Sequence, residues 1–349
     1  MKYTNLGRTG VQVSRLCLGC MNFGGRTQPK EAIEIIDHAI AEGINFIDTA
    51  NVYGHEPGNY HEGRGRSEQI VGQALQESSK RQKIVLATKA HYPMVSGPNG
   101  GGNSRRHIIE QCHESLRRLN TDYIDLYQLH SADVDVPIDE TLRALDDLIR
   151  AGKIRYIGTS GFPAWKLVES LWVSKEYGLN RFVCEQAPYH LLDRRLERQL
   201  VPMTQSYGLG IITWAPLAGG FLSGKYRADE AVPMDSRYSE FWSGAAELHY
   251  KPKTFAVIEG LTAVSAKLSC SLAQLAIAWQ LHQPGITAPI IGPRTMAQLV
   301  DGLGAVDIEL DDAVLQQIDE IAPPNQFTVS YYGGELGIWT GWEAPKFAW

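Results

Sequence analysis

The chain has 349 residues, a formal charge of −6, 44% hydrophobic residues and 21% charged ones. This is ordinary globular composition, and the length admits two domains or one large α/β barrel with extensions. The mild acidity offers no electrostatic argument for nucleic acid or an anionic membrane, and five scattered cysteines (Cys17, Cys20, Cys112, Cys184, Cys270) speak against a disulfide framework.

A reducing, cytoplasmic setting is therefore expected, and no basic segment followed by an apolar run marks a secretory signal. The longest uncharged stretch, residues 268–293, contains Pro284, Gly285 and Pro289. It reads as a helix, a turn and a strand, not as a membrane span.

In chain order, Gly7-Arg8-Thr9-Gly10 lies between two short β-like runs and predicts an N-terminal hairpin. A regular alternation follows. Residues 15–20 form a short apolar strand, and 31–42 a helix with Ile33, Ile36 and Ile40 at helical spacing, closed by Gly43. Strand 45–49 precedes helix 67–77, and strand 84–88 precedes helix 107–119, with Ile108, Cys112, Leu116 and Leu119 on one side. The pattern continues through strands 123–129, 154–160, 182–186, 211–214 and 288–291. The matching helices are 137–152, 164–177, 194–207, 271–282 and 295–303. Eight strand–helix units with short apolar strands call for parallel pairing and right-handed crossovers, hence a TIM (β/α)8 barrel.

Three segments stand outside the repeat. Residues 217–268 form a long excursion with an extra helix near 255–268, and 311–321 is a further amphipathic helix. Residues 326–349 are an aromatic-rich tail with Phe327, Tyr331, Tyr332, Trp339, Trp342, Phe347 and Trp349. No linker divides the chain, so one barrel domain is expected, its core about 15–305 and its C-terminal helix and tail 306–349. The tail either covers the barrel mouth or packs on the outer helices or a partner subunit.

The polar residues at the strand ends carry the chemistry. The second strand ends in Asp48, with Tyr53 five positions later; the third ends in Lys89, and the fourth in His130. On neighbouring barrel strands these four should meet at the C-terminal mouth, where barrel active sites are built. A free tyrosine titrates near ~10, too high for ready proton donation at neutral pH, and a nearby ammonium lowers that value. Lys89 would act on Tyr53, Asp48 would hold Lys89, and His130 would hydrogen-bond a substrate oxygen. The set suits proton donation to a carbonyl oxygen as a hydride reaches the carbon.

At these residues the chain resembles the aldo-keto reductases. The matching pieces are Asn5-Leu6-Gly7-Arg8-Thr9-Gly10-Val11-Gln12-Val13-Ser14, Arg66-Ser67-Glu68 and Tyr123-Ile124-Asp125-Leu126-Tyr127-Gln128-Leu129-His130. Gly152-Lys153-Ile154-Arg155-Tyr156-Ile157-Gly158 and Trp214-Ala215-Pro216-Leu217 complete the set. The resemblance runs from about Tyr3 to Ile321. It implies NADPH-dependent carbonyl reduction and a tetrad of Tyr53, Lys89, Asp48 and His130.

No Gly-x-Gly-x-x-Gly follows an early strand, so phosphate binding falls to late loops and helix N-termini. Ala218 to Lys225, with Gly219 and Gly220, could hold a pyrophosphate with Lys225 adding charge. Gly292-Pro293-Arg294 places Arg294 for a 2′-phosphate, favouring NADPH. The resemblance assigns Ser160 and Gln186 to the carboxamide, Trp214 to the nicotinamide face, and Gln298 and Asp301 to the adenosine end. Pro216 and Leu217 join the cofactor set. Two departures are Gly161, where the family usually has Asn, and Asp301-Gly302, where it usually has Glu-Asn.

Cys17 and Cys20 are expected on opposite faces of a strand, without a metal role. His55 and His61, in an insertion spanning 54–66, would border the substrate pocket, and 97–103 reads as a flexible loop. A reductase of aldehydes or ketones, sugar-derived ones included, is the expected activity. The alternative is an NADP(H)-holding regulatory subunit like the potassium-channel β subunits. The expected partner is a small carbonyl substrate, with no nucleic acid and no membrane segment, and the chain could form a homo-oligomer. A metal-dependent hydrolase lacks its paired-histidine motif.

Overall fold

In the computed structural model, residues 1–55, 62–76, 78–228, 230–234, 236–240 and 249–331 are described. Strands β1 (Tyr3–Asn5) and β2 (Gln12–Ser14) pair antiparallel as the expected hairpin. Eight further strands close a parallel barrel. They are β3 (Cys17–Gly19), β4 (Phe46–Asp48), β5 (Val85–Ala90), β6 (Ile124–Leu129), β7 (Ile154–Ser160), β8 (Cys184–Pro188), β9 (Gly210–Trp214) and β10 (Ile286–Ile291). Around the barrel the order is sequential, with β10 returning to pair with β3. A TIM barrel is the fold.

The two-residue period of a strand divides the core. Inward residues Cys17, Phe46, Ala87, Leu126, Cys184, Ile212 and Ala288 form an apolar plug that Leu6 and Val13 of the hairpin close from below. Their outward neighbours, such as Leu18, Ile47, Tyr127 and Ile211, join the larger core beneath the helices. Two residues past the plug on β4, β5, β6, β8 and β9 stand Asp48, Lys89, Gln128, Gln186 and Trp214. Strand period alone lifts these polar and aromatic side chains into the layer above the plug. The same rule separates Cys17 in the plug from Cys20 in the outer core.

Helix bounds follow the predicted periodicity to within three residues, apart from one break. The expected helix 194–207 is a 3-10 turn (Arg195–Arg198) and a short α-helix (Leu200–Tyr207). Pro202, which lacks an N–H, fits only the first turn of a helix, so the helix restarts just before it. The loop at 97–103 is tied down at its C-terminal end. Gly102 N–H donates to His91 O at 2.6 Å, and Asn103 bonds both Asp133 and the Ser131 carbonyl. The extra helices are Pro252–Lys267 and Asp312–Ile321. No single helix among the described residues is long and apolar enough to cross a membrane.

Candidate active site

Tyr53 follows β4 in a turn where its N–H donates to Ala50 O at 3.1 Å. Its carbonyl accepts from Gly65 N–H (3.1 Å) and Ser67 N–H (3.3 Å), at the start of helix Arg66–Ala74. The Arg66-Ser67-Glu68 motif is therefore the clamp on the tyrosine backbone. Ser67 Oγ donates to Cys20 O at 2.8 Å, and buried Glu68 accepts from Thr88 Oγ1 and Arg118 Nε, each at 2.6 Å. Gly54 has φ +107°, and a Cβ there would stand 2.7 Å from Arg66 Cβ, so only glycine lets the turn meet this helix.

The four strand-end residues come together. Fully buried Lys89 donates from Nζ to Asp48 Oδ2 at 2.5 Å, to Thr49 O at 2.9 Å and to Tyr53 Oη at 3.4 Å. His130 Nε2 lies 3.4 Å from Tyr53 Oη, and the two rings meet edge to face at 5.5 Å. Burial opposes the Lys89 charge, but Asp48 and Tyr53 outweigh it and hold its pKa above the ordinary lysine value. The site thus favours the ammonium form of Lys89. Burial, Lys89 and His91 push the His130 pKa well below its usual range, so the ring is neutral at physiological pH. Tyr92 packs on His130 at 5.0 Å and forms an aromatic wall that sequence reading passed over.

Above the plug, Asp48 Oδ1 accepts from both Gln128 Nε2 and Gln186 Nε2 at 2.9 Å, and Gln186 Nε2 also reaches Gln128 Oε1 at 3.2 Å. Gln128 lay unremarked inside a matching motif; the period-two register from Leu126 could have singled it out. Ser160, at the end of β7, is buried, and Gly161 beside it has φ +72°, a conformation that favours glycine.

Glu185, the outward neighbour of Gln186, is fully buried and accepts from the Thr159 hydroxyl and from Phe162 N–H. It braces the turn that carries Ser160. Burial pushes its pKa up to about 8, against the hydrogen bonds that favour the anion. A folded-state pKa above the unfolded value means that its stabilisation is full below about pH 4.5 and is lost as pH rises through about 8. Between those limits wild type is expected to lose on the order of a few kcal/mol relative to Glu185→Gln. Denaturant melts of both proteins at several pH values check this; parallel curves would remove the charge effect.

At the other side of the mouth, Trp214 is half-buried and is followed by a turn with left-handed residues Ala215, Ala218, Gly219 and Gly220. A Cβ on Gly220 would lie 2.5 Å from Lys225 Cε, so the turn closes tightly on its own lysine. Lys225 is exposed and Arg294 half-buried, and Gly292 is exposed, with no atom within 3.8 Å of an added Cβ. Asn22 Nδ2 donates to Gly292 O and Thr27 Oγ1 to Arg294 O, tying this loop to the one after β3.

Other predicted cofactor contacts have local duties. Gln298 Oε1 accepts Arg294 N–H at 2.8 Å, and Asp301 accepts Ser271 Oγ of a neighbouring helix cap. Pro216 is buried and Leu217 half-buried in the turn. His55 is half-buried, while His61 lies outside the described residues.

The beginning of the tail reaches the mouth. Leu192 O accepts from Thr328 and Val329 N–H, and Asp193 Oδ2 accepts from Tyr331 N–H at 2.8 Å. The Tyr331 ring stands 5.5 Å from Trp214 and 4.6 Å from His190. Phe327 instead packs under the Arg195 guanidinium. The remaining tail aromatics, Tyr332 to Trp349, lie outside the described residues.

A closed parallel barrel thus carries a buried Lys–Asp pair under a tyrosine at its C-terminal mouth. The chain belongs to the aldo/keto reductase family, whose family model matches residues 15–323. Among its relatives is the uncharacterized oxidoreductase YrpG of Bacillus subtilis (strain 168), 40% identical over 93% of this chain and 96% of that protein. Two probable voltage-gated potassium channel β subunits are also similar. The one from Oryza sativa subsp. japonica is 37% identical over 88% of this chain and 92% of its own length; that from Arabidopsis thaliana is 36% identical over 92% and 96%.

Proposed function

We propose that the chain is an NADPH-dependent reductase of aldehydes or ketones, sugar-derived ones included, acting as one barrel domain with the C-terminal helix and tail as its extension. The observation that carries this reading is the 3.4 Å approach of Lys89 Nζ and His130 Nε2 to the same Tyr53 hydroxyl. As a proton leaves Tyr53 Oη for the substrate oxygen, negative charge builds on the phenol, and the ammonium stabilises it. Asp48 keeps that ammonium charged in a dry site. Neutral His130 hydrogen-bonds the substrate oxygen and orients it towards Tyr53.

The residues present fit NADP(H). A concave turn at 215–220 with Lys225, and an exposed Gly292 loop with Arg294, offer backbone and cations at two successive strand ends. Trp214 would stack on the nicotinamide with Pro216 and Leu217 beside it, Gly220 and Lys225 would hold the pyrophosphate, Ser160 and Gln186 the carboxamide, and Arg294 the 2′-phosphate. Gln298 would support Arg294, and Asp301 the adenosine end. When bound, the cofactor supplies the hydride. Five free thiols support a reducing, cytoplasmic compartment.

Arg294→Ala is expected to weaken NADPH roughly tenfold or more by loss of one charge-assisted contact, and NADH little. Titration of both dinucleotides by fluorescence checks this, and equal losses would remove the 2′-phosphate role. The plant relatives support a second reading, an NADP(H)-holding regulatory subunit. Multiple turnover of NADPH with a panel of aldehydes and ketones separates the two: a binder without turnover favours the regulatory role.

A further inference from the structure

The end of the barrel opposite the mouth holds a recess of about 560 Å3 beside the turn that joins β1 to β2. The N-terminal ends of β9 and β10 form its floor. Its walls include the C-terminal ends of helices Leu200–Tyr207 and Leu272–His282.

An irregularity in β10 shapes the floor. Ile286 pairs with Ile211 and Ala288 with Ile212, so Thr287 is the extra residue of a bulge, and bulges re-aim side chains. Thr287 lines the recess and is 6% exposed, and its hydroxyl has no partner among the described residues. A Cβ on Gly210 of β9 would stand 2.8 Å from that hydroxyl, so the glycine leaves the space above it clear. A nearly buried hydroxyl without a partner is costly, and a bound polar ligand relieves the cost.

The walls carry positive charge without counter-charge. Arg8 and Arg15 both line the recess, and neither pairs with a carboxylate among the described residues. Half-buried Arg15 donates one N–H to Leu281 O at 2.5 Å, which leaves its other donors open. Burial lowers its pKa, with no acid to offset the effect. Arg8 lies along Gly208, where a Cβ would stand 3.2 Å from the arginine Cβ and Cδ. Gln205 and Gln283 add side-chain amides that bond to no described residue.

We propose that this recess is a second ligand site, taking a phosphate monoester with a hydroxyl-bearing body, the class of the sugar phosphates. Two guanidiniums match the charge of a phosphate dianion, and each can bind it through paired N–H bonds. Thr287, Gln205 and Gln283 offer donors and acceptors to hydroxyl groups. The recess has the volume of a small-molecule site rather than of a bare ion. It lies at the far end of the barrel from Tyr53, so it does not rest on the proposed reductase chemistry.

Calorimetric titration of the full chain with glucose 6-phosphate, inorganic phosphate and glucose tests this. Glucose 6-phosphate is expected to bind at about 1 mM or tighter, and roughly tenfold better than either of its parts. Arg8→Ala and Arg15→Met should each weaken it roughly tenfold or more, by loss of a charge-assisted contact. Thr287→Val, close in shape, should weaken it about fivefold by loss of one neutral hydrogen bond. Thermal melts establish folding, and Arg8→Ala with Thr287→Val decide the matter if Arg15→Met does not fold. Arg294 offers phosphate a competing place, so the titration is repeated with Arg294→Ala and with NADP+ present. Neither should change the affinity.

No binding at millimolar glucose 6-phosphate would overturn the site, as would unchanged affinity in the Arg8, Arg15 and Thr287 variants. Binding lost with Arg294→Ala or NADP+ would place the phosphate at the cofactor loops, overturning this site while supporting the cofactor reading. Inorganic phosphate bound equally well would overturn the monoester assignment.

Discussion

Tyr53→Phe is expected to lower kcat by about a thousandfold, the range of a general acid lost from a transition state, with NADPH affinity nearly unchanged. The substitution removes one oxygen and little else. The ring stays under Lys89 Nζ, which stands 4.8 Å from its centroid, and the backbone clamp from Gly65 and Ser67 does not involve the side chain. Stability should therefore hold within about 1 kcal/mol, as for a modest change at a half-buried site. Steady-state kinetics beside a thermal melt separate the effects. Turnover within tenfold of wild type would show that another group delivers the proton.

Lys89→Met carries the largest expected change in stability. It leaves the Asp48 carboxylate, 3% exposed, without its cation. The two glutamine bonds remain but carry no charge. Breaking one side of a buried pair costs about 3–5 kcal/mol, because the remaining charge is neither solvated nor compensated. For a chain of this size the melting temperature should fall by roughly 5 °C. Turnover should also be lost, since nothing then stabilises charge on Tyr53.

Adding Asp48→Asn to Lys89→Met distinguishes the two losses. The neutral amide removes the stranded charge, so the double variant should regain most of the stability and none of the activity. Melts of the single and double variants, with kinetics, check this. Equal melting temperatures would mean that the pair is not the source of the loss.

Much of this site was legible before folding. The alternation of short apolar strands with amphipathic helices predicts the barrel, because parallel strands buried on both faces need helical crossovers. Asp48, Lys89 and His130 could be placed at adjacent strand ends by counting from the apolar runs, and the Ala218–Lys225 and Gly292–Arg294 loops by their position after the last strands. Glycines at 54, 219 and 220 were visible as turns, and their positive φ explains why no other residue serves as well.

Only packing decided the partners. That Arg66-Ser67-Glu68 clamps the Tyr53 backbone depends on a helix start lying against a loop, which local sequence does not encode. That Gln128 reaches Gln186 depends on the missing Cβ at Gly158, one strand away. Burial moved Glu185 up to about 8 and the His130 pKa down, although neither segment looks unusual in composition. Hydrogen-bond direction inside the barrel follows from one ionised carboxylate seeing two amides at once. Residue types and strand period are one-dimensional properties and can be read along a chain. Desolvation, clamping and bond polarity belong to residues 12 to 138 positions apart, and exist only once the barrel has closed around them.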